Sequence, residues 1–323
     1  MGVIYKLAAF LTACIIYPAG AQTLRLGHVT PPAHIWHKVS QRFADNLQQQ
    51  SGGKYRTVIY PLSKLGGDDQ MISLLQSGAL QFAVLTAGNL SNREPAMNAW
   101  FLPYAFSGMD EANAAAGSPE ARRLLAGLER HKLVGLGYTM AGMRHVLTTQ
   151  PVRGVEDFRR RKIRSFPNPL FNSWWRNLDA APTALAVSDI MPALTTNLIQ
   201  GVDADLDIVA GMKMYYRAPY LTLTNHMAFP GVVVASKTWW DTLGTEERRQ
   251  VRSAFAEAER WGLAQQAEQE RNNIAALKAA GVTVAEPDYA ALKAVGEKTA
   301  REYIRRYPEA AVFYRVSAGR EGQ

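Results

Sequence analysis

Hydrophobic and polar positions alternate with two distinct periods along the first ninety residues. TLRLGHV, Thr23 to Val29, alternates in steps of two and predicts a strand; beyond Thr30-Pro31-Pro32 the spacing changes, placing Ile35, Val39, Phe43 and Leu47 on one helical stripe. Ser51-Gly52-Gly53 stops that helix, YRTVIYP predicts a second strand, Asp68 and Asp69 are set to cap a helix carrying Met71, Leu74 and Leu75, and LQFAVLT predicts a third strand. A β-α-β-α-β order implies a right-handed parallel sheet, whose ligands sit beyond the carboxyl ends of the strands. Val29 to Trp36, Leu65 to Asp69 and Thr86 to Asn89 should therefore share one mouth.

Further along, residues 96–133 read as helices joined by turns and LVGLGYTM as a strand. GMRHVLTTQPVRGVEDFRRRKIRSF holds two more extended pieces separated by a short helical turn at Val155 to Phe158. LFNSWWRNLDAA is helical, SDIMPALTTNLIQG is a capped helix, VDADLDIVA is strand or loop, and LTLTNHMAFPGVVVAS is an extended run too apolar for a surface. Thr245 to Ala280 predicts one long helix, capped by Thr245 and stopped at Gly281, before GVTVAE and a final helix. The sequence has no internal repeat, low-complexity tract or Pro/Gly-rich linker, so the chain is expected to cross between two domains several times.

The 323 residues are 47% hydrophobic and 20% charged, the balance of a folded globular protein. Met1 to Ala21 reads as a signal peptide, with Lys6, an apolar LAAFLTACIIY segment and a small-residue cleavage site at Ala19-Gly20-Ala21. That segment is too short to span a membrane comfortably, so the mature chain is expected to be periplasmic and not itself transmembrane. Leu11-Thr12-Ala13-Cys14 also matches a lipobox, which makes a lipoprotein the minor alternative. Cys14 is the only cysteine, and cleavage after Ala21 removes disulfides, thiol catalysis and cysteine-ligated zinc together. The formal charge is +8, but apart from the Arg159 to Arg164 run the cations are scattered among Asp and Glu. With export, this favours anionic small molecules over nucleic acid.

The order of elements, with YPLSKLGGDDQMISLLQSGALQFAV, GMRHVLTTQPVRGVEDFRRRKIRSFPN, APTALAVSDIMPALTTNLIQGVD and LTNH, resembles the solute-binding proteins of tripartite ATP-independent periplasmic (TRAP) transporters, the dicarboxylate-binding-protein-like family. The resemblance covers essentially the whole mature chain. It implies a periplasmic binding protein-like α/β fold: two α/β domains around a ligand cleft and a long bridging helix. Mapped on this chain, domain I takes 22–145 plus about 230–260 and domain II 146–229 plus about 261–323, with the bridging helix near 245–280. It further implies a receptor, not an enzyme, without cofactor, that acts as a monomer and delivers an organic acid to membrane permease subunits.

The same resemblance makes Arg164 the clamp on a substrate carboxylate. A planar guanidinium matches two carboxylate oxygens and stays charged when desolvated. Arg144 occupies the position of a second cleft arginine, with pairing to a structural carboxylate as its other reading; Phe166 and Asn168 follow Arg164 where substrate contacts are expected. Asp203 matches an acidic position, while Ala204 stands where the family carries a substrate-contacting asparagine, and Asp205 and Asp207 are either ligand-directed or capping. His34 and Trp36 after the first strand and Thr86 after the third are the first-domain candidates. One of Trp174 and Trp175 is expected in the core, and Tyr215, Tyr216 and Phe229 are weaker candidates.

The alternative function is an exported metal-dependent hydrolase using the His28, His34 and His37 region. It lacks an HExxH spacing, and no GxSxG, GxGxxG or P-loop sequence supports other common enzyme classes.

Overall fold

The computed structural model describes residues 20–311, so the signal-peptide and Cys14 readings lie almost wholly outside it. Eleven strands among these residues form two sheets. The first contains β1 (Gln22–Gly27), β2 (Tyr55–Tyr60), β3 (Phe82–Thr86), β4 (Leu133–Met143) and β10 (Ala228–Ser236), in the order β2-β1-β3-β10-β4. The second contains β5 (His145–Thr148), β6 (Lys162–Ser165), β7 (Ala181–Ala184), β8 (Gly201–Ala204), β9 (Tyr220–Thr222) and β11 (Thr283–Ala285), in the order β11-β9-β5-β8-β6-β7. The predicted parallel pairing holds for β2-β1-β3, whereas β10 runs antiparallel to both β3 and β4. The long apolar run is divided: β9 joins the second sheet, and β10, buried along its whole length, fills the middle of the first.

The helical stripe behaves as its period requires. Ile35, Val39, Phe43 and Leu47 are buried on the helix Ile35–Gln50, which packs on the first sheet and on the long helix Thr245–Ala279. Three local expectations change. Asp68 and Thr245 are the first residues of their helices; the capping positions belong to Gly67 and Gly244, and Glu247 accepts the Gly244 amide at 2.7 Å. VDADLDIVA splits into β8 and a helix, Leu206–Gly211, because Asp205 accepts the Ile208 amide at 2.9 Å as an N-cap. Both tryptophans, rather than one, are fully buried at Trp174 and Trp175.

The chain passes between the sheets at Arg144, where Gly142 (φ 128°) bends the backbone, and again at residues 223–227. The two passages are tied by Arg144 N–H to the Met227 carbonyl (2.7 Å) and His226 N–H to the Arg144 carbonyl (3.3 Å). The core of the first sheet continues through Phe101, Phe229, Phe171 and Phe166 into the second lobe without a gap.

On the long helix, Glu259 accepts the backbone N–H of Tyr138 at 2.6 Å, and a Cβ on Gly137 would lie 2.4 Å from its carboxylate. Burial raises its pKa to about 7, against the opposing effects of that hydrogen bond and of Arg122. The group is neutral in both states below the unfolded carboxyl pKa, so stability is lost as pH rises from there through 7. Glu259→Gln keeps an acceptor without the charge; it is expected to stabilise by on the order of 2–3 kcal/mol at pH 8 and to change little at pH 4. Thermal unfolding of both proteins at the two pH values checks this.

Candidate functional site

Arg159 to Arg164 divides into two fates. Arg159, Arg160 and Lys162 are exposed, Arg159 facing Asp179 at 3.7 Å, and Arg161 donates to the carbonyls of Gln150 and Pro151. Arg164 sits on β6, between β8 and β7, and is only 3% exposed. Its Nε and Nη2 both donate to the Leu185 carbonyl, at 3.1 and 3.0 Å, and its guanidinium lies 4.6 Å over the ring of Phe166. Among the described residues no carboxylate lies within salt-bridge distance of it. Burial, then the neighbouring charge of Arg144, pulls its pKa down to about 9, which leaves it cationic at neutral pH. A buried cation with open N–H groups and no anion is a position an anionic ligand would stabilise.

Arg144 is paired with a carboxylate of the protein itself. Its Nε donates to Asp203 Oδ1 and its Nη2 to the Asp203 carbonyl, while its guanidinium lies 4.2 Å from the Phe229 ring and 5.6 and 5.7 Å from those of Phe166 and Phe171. Asp203 Oδ2 accepts Trp175 Nε1 at 3.0 Å and faces His226 Nε2 at 3.4 Å. Burial alone would raise the Asp203 pKa, but Arg144 and His226 more than reverse it and hold the carboxyl below its usual range. Asp203 therefore fixes Arg144 at the crossing between the sheets. Its neighbour Ala204, buried, packs into the second-lobe core.

The first lobe meets the second along a polar seam. His34 caps the Ile35–Gln50 helix through Nδ1, which accepts Trp36 N–H at 3.1 Å, and turns Nε2 to Asp205 Oδ1 at 3.3 Å. Asp207 accepts the Ile35 amide at 2.8 Å and the Asn273 side chain at 2.5 Å. The helix N-terminus is thus occupied by a carboxylate from the other lobe. This cross-lobe use of Asp205 and Asp207 was hidden in a sequence that showed them only as candidate caps or ligand groups. Asn168 caps the Pro169–Asn177 helix and sends Nδ2 across to Ser91 Oγ (2.7 Å), Asn98 Oδ1 (2.8 Å) and the Gly88 carbonyl (3.3 Å). Phe166, rather than Asn168, lies against the Arg164 guanidinium.

Trp36 stacks on Phe229 and crosses β10 at Gly231, where a Cβ would lie 2.7 Å from the indole; only glycine permits that approach. The Trp36 Nε1 is buried without a partner. Thr86 donates to Asp68 Oδ2 at 2.5 Å and accepts Asn89 N–H at 3.1 Å, so Asp68 serves Thr86 rather than its own helix. Burial raises the Asp68 pKa to about 6 despite those Thr86 bonds, and Oδ1 has no partner. The rings of Tyr215 and Tyr216 lie tilted against each other with centroids 4.7 Å apart, Tyr216 exposed.

The histidines of the first lobe are engaged with one another and with the seam. His28 Nε2 and His37 Nδ1 hydrogen-bond each other at 3.0 Å, His28 Nδ1 is bound to Thr30 Oγ1 at 3.0 Å, and His34 belongs to the seam. Burial, then the charges of His37 and His34, pulls the His28 pKa down to about 3, so its ring is neutral at physiological pH. A groove of about 1040 Å³ elsewhere, lined by Tyr104, Tyr289, Lys293, Glu297 and Arg301 among others, mixes charges of both signs and excludes Arg164.

Residues 26–308 match the family model described as bacterial extracellular solute-binding protein, family 7. The chain is 28% identical over 279 residues to the 2,3-diketo-L-gulonate-binding periplasmic protein of Escherichia coli, covering 86% of this chain and 84% of that one. It is 25% identical over 273 residues to the C4-dicarboxylate-binding periplasmic protein of Shewanella loihica, covering 84% and 79%. Among solved structures, the sugar acid-binding protein of Advenella mimigardefordensis in complex with galactonate superposes with a TM-score of 0.89 at 25% identity, covering 94% of this chain and 99% of that one. A TRAP periplasmic solute-binding protein of Xanthobacter autotrophicus with bound β-D-galacturonate gives 0.87 at 26% identity, covering 92% and 99%.

Proposed function

The chain belongs to the bacterial extracellular solute-binding proteins of family 7, and from that premise we propose that Arg164 captures the carboxylate of an organic acid between the two lobes. The protein is a solute-binding receptor of the TRAP type and not an enzyme, which removes the hydrolase alternative. The observation that carries the proposal is the state of Arg164: buried, cationic, and without a carboxylate among the described residues. Phe166 and Trp36 supply the apolar wall, Arg144 and Asp203 hold the crossing on which that wall is mounted, His34 and Asn168 fix the seam, and Thr86 holds Asp68 at the mouth.

Taking the lobes as 22–145 with about 230–260 and 146–229 with about 261–323, ligand capture shifts the population toward the closed arrangement. The closed receptor, working in the periplasm, then hands the acid to membrane permease subunits. Consistent with a receptor that does not itself cross the membrane, no helix among the described residues is long and apolar enough to span one. Sugar acids, which the relatives' names specify, are the first ligands to try.

Thermal unfolding of the mature protein, refolded from denaturant to strip carried ligand, tests the reading against carboxylates, amino acids, neutral sugars and metal ions. A ligand at 100 times its dissociation constant stabilises by about 2.7 kcal/mol, enough to raise the midpoint by several degrees. A rise confined to carboxylates is expected. A rise from neutral sugars or metal ions with none from any carboxylate would overturn the assignment of Arg164.

A further inference from the structure

The charge inventory of the interlobe site points to a ligand with a single carboxylate and an otherwise uncharged body. The inference rests on the reading that Arg164 holds that carboxylate. What it adds follows from the partners of every other buried charge.

Arg144 is the second cation, but Asp203 already meets it through both a carboxylate oxygen and a carbonyl. Three phenyl rings enclose its guanidinium. The three buried aspartates of the β8 segment are likewise satisfied: Asp203 by Arg144, Trp175 and His226; Asp205 by His34 and the Ile208 amide; Asp207 by the Ile35 amide and Asn273. Of the two buried arginines, Arg144 is paired with Asp203 and Arg164 lacks an anionic partner among the described residues. One ligand carboxylate completes the set.

A second carboxylate would have no cation to meet and would enter a region already holding Asp203, Asp205, Asp207 and Asp68. Asp68 is on the same mouth, because its partner Thr86 lies two residues before Gly88, and a Cβ at Gly88 would be 3.7 Å from Phe166. Burying an unpaired anion there carries a desolvation penalty and a like-charge repulsion at once.

The remaining walls suit an uncharged body. Phe166 stacks beneath Arg164, Phe229 packs on Phe166 at 5.1 Å, and Trp36 stacks on Phe229 at 6.2 Å. Two partnerless buried polar atoms among those at this mouth are a donor, Trp36 Nε1, and an acceptor, Asp68 Oδ1. These match a neutral oxygen and a hydroxyl on the ligand.

The test is calorimetric titration of the stripped mature protein with matched pairs that differ only in a terminal carboxylate: galactonate against galactarate, and butyrate against succinate. The Arg164→Ala protein is titrated in parallel. In any pair that binds, the monocarboxylate is expected to bind roughly 100-fold more tightly than its diacid, with binding lost in Arg164→Ala. A diacid bound as tightly as its monoacid, and lost in Arg164→Ala, overturns the charge count and leaves the clamp intact. Binding that survives Arg164→Ala, or no carboxylate response of any kind, overturns the clamp and with it the count.

Discussion

Arg164→Ala is expected to lower ligand affinity by about 30-fold to about 4,000-fold while the protein remains folded. The range converts the ~2–5 kcal/mol lost when one partner of a buried, hydrogen-bonded charge pair is truncated. The loss belongs to the complex alone. In the free protein Arg164 is a buried cation whose bonds go to one carbonyl, Leu185, so its removal relieves a desolvation cost while giving up those two bonds with ring and stem packing. Against that relief stand the two lost Leu185 bonds, so the unfolding midpoint without ligand is expected to change little, and the ligand-induced rise to vanish. Arg164→Lys keeps the charge but not the planar fork and is expected to lose at least about tenfold. Titration of the three proteins with the acid selected by the thermal panel decides the matter; an alanine variant that binds as tightly as the parent would show that Arg164 is not the clamp.

How much of this was legible in the sequence varies with the kind of information needed. Periodicity was sufficient for the Ile35–Gln50 stripe and for the long helix, because burial of one face is written locally in spacing. Helix starts were misplaced by one residue at Asp68 and Thr245, since a glycine with extended backbone can precede a helix and leave the acidic side chain to other work. Arg164 stood out from Arg159–Lys162 through resemblance; its burial agrees with that choice, but nothing in the run itself separates one arginine from five other residues.

Cross-lobe partners were not legible at all. Asp207 reaches a helix 172 positions away, and Asn168 reaches residues 70 to 80 positions away; such pairings depend on how two sheets are brought together, which no local pattern encodes. The tryptophan pair shows the same limit. Trp174 and Trp175 are both buried, and residues from later in the chain meet them: His226 stacks on Trp174 and lies edge-on to Trp175, and Asp203 accepts the Trp175 indole N–H.

Asp203→Asn is expected to produce the larger loss of stability, about 3–5 kcal/mol at pH 7. Both oxygens of Asp203 accept from donors, Arg144 Nε at Oδ1 and Trp175 Nε1 at Oδ2, and His226 Nε2 lies 3.4 Å from Oδ2. An asparagine must turn its amide NH2 toward one of them, and Arg144, 1% exposed among phenyl rings, cannot recover by reaching water. Removing Arg144 as well, as Arg144→Met with Asp203→Asn, takes away the stranded charge, so the double variant is expected to be more stable than Asp203→Asn alone. The effect also carries a pH signature. Because the folded Asp203 pKa lies below its unfolded value, the stabilisation is complete above the unfolded pKa and is lost as pH falls below it. The gap between parent and Asp203→Asn should accordingly narrow by about 1 kcal/mol between pH 7 and pH 3. His28, neutral when folded with a pKa of about 3, weakens both proteins alike as pH falls from 6.5 and cancels in the difference. Denaturant unfolding of the parent, the single variant and the double variant at both pH values separates these terms. A loss under 1 kcal/mol, or a gap that does not change in acid, would mean that Asp203 is not the anion that holds Arg144 in place.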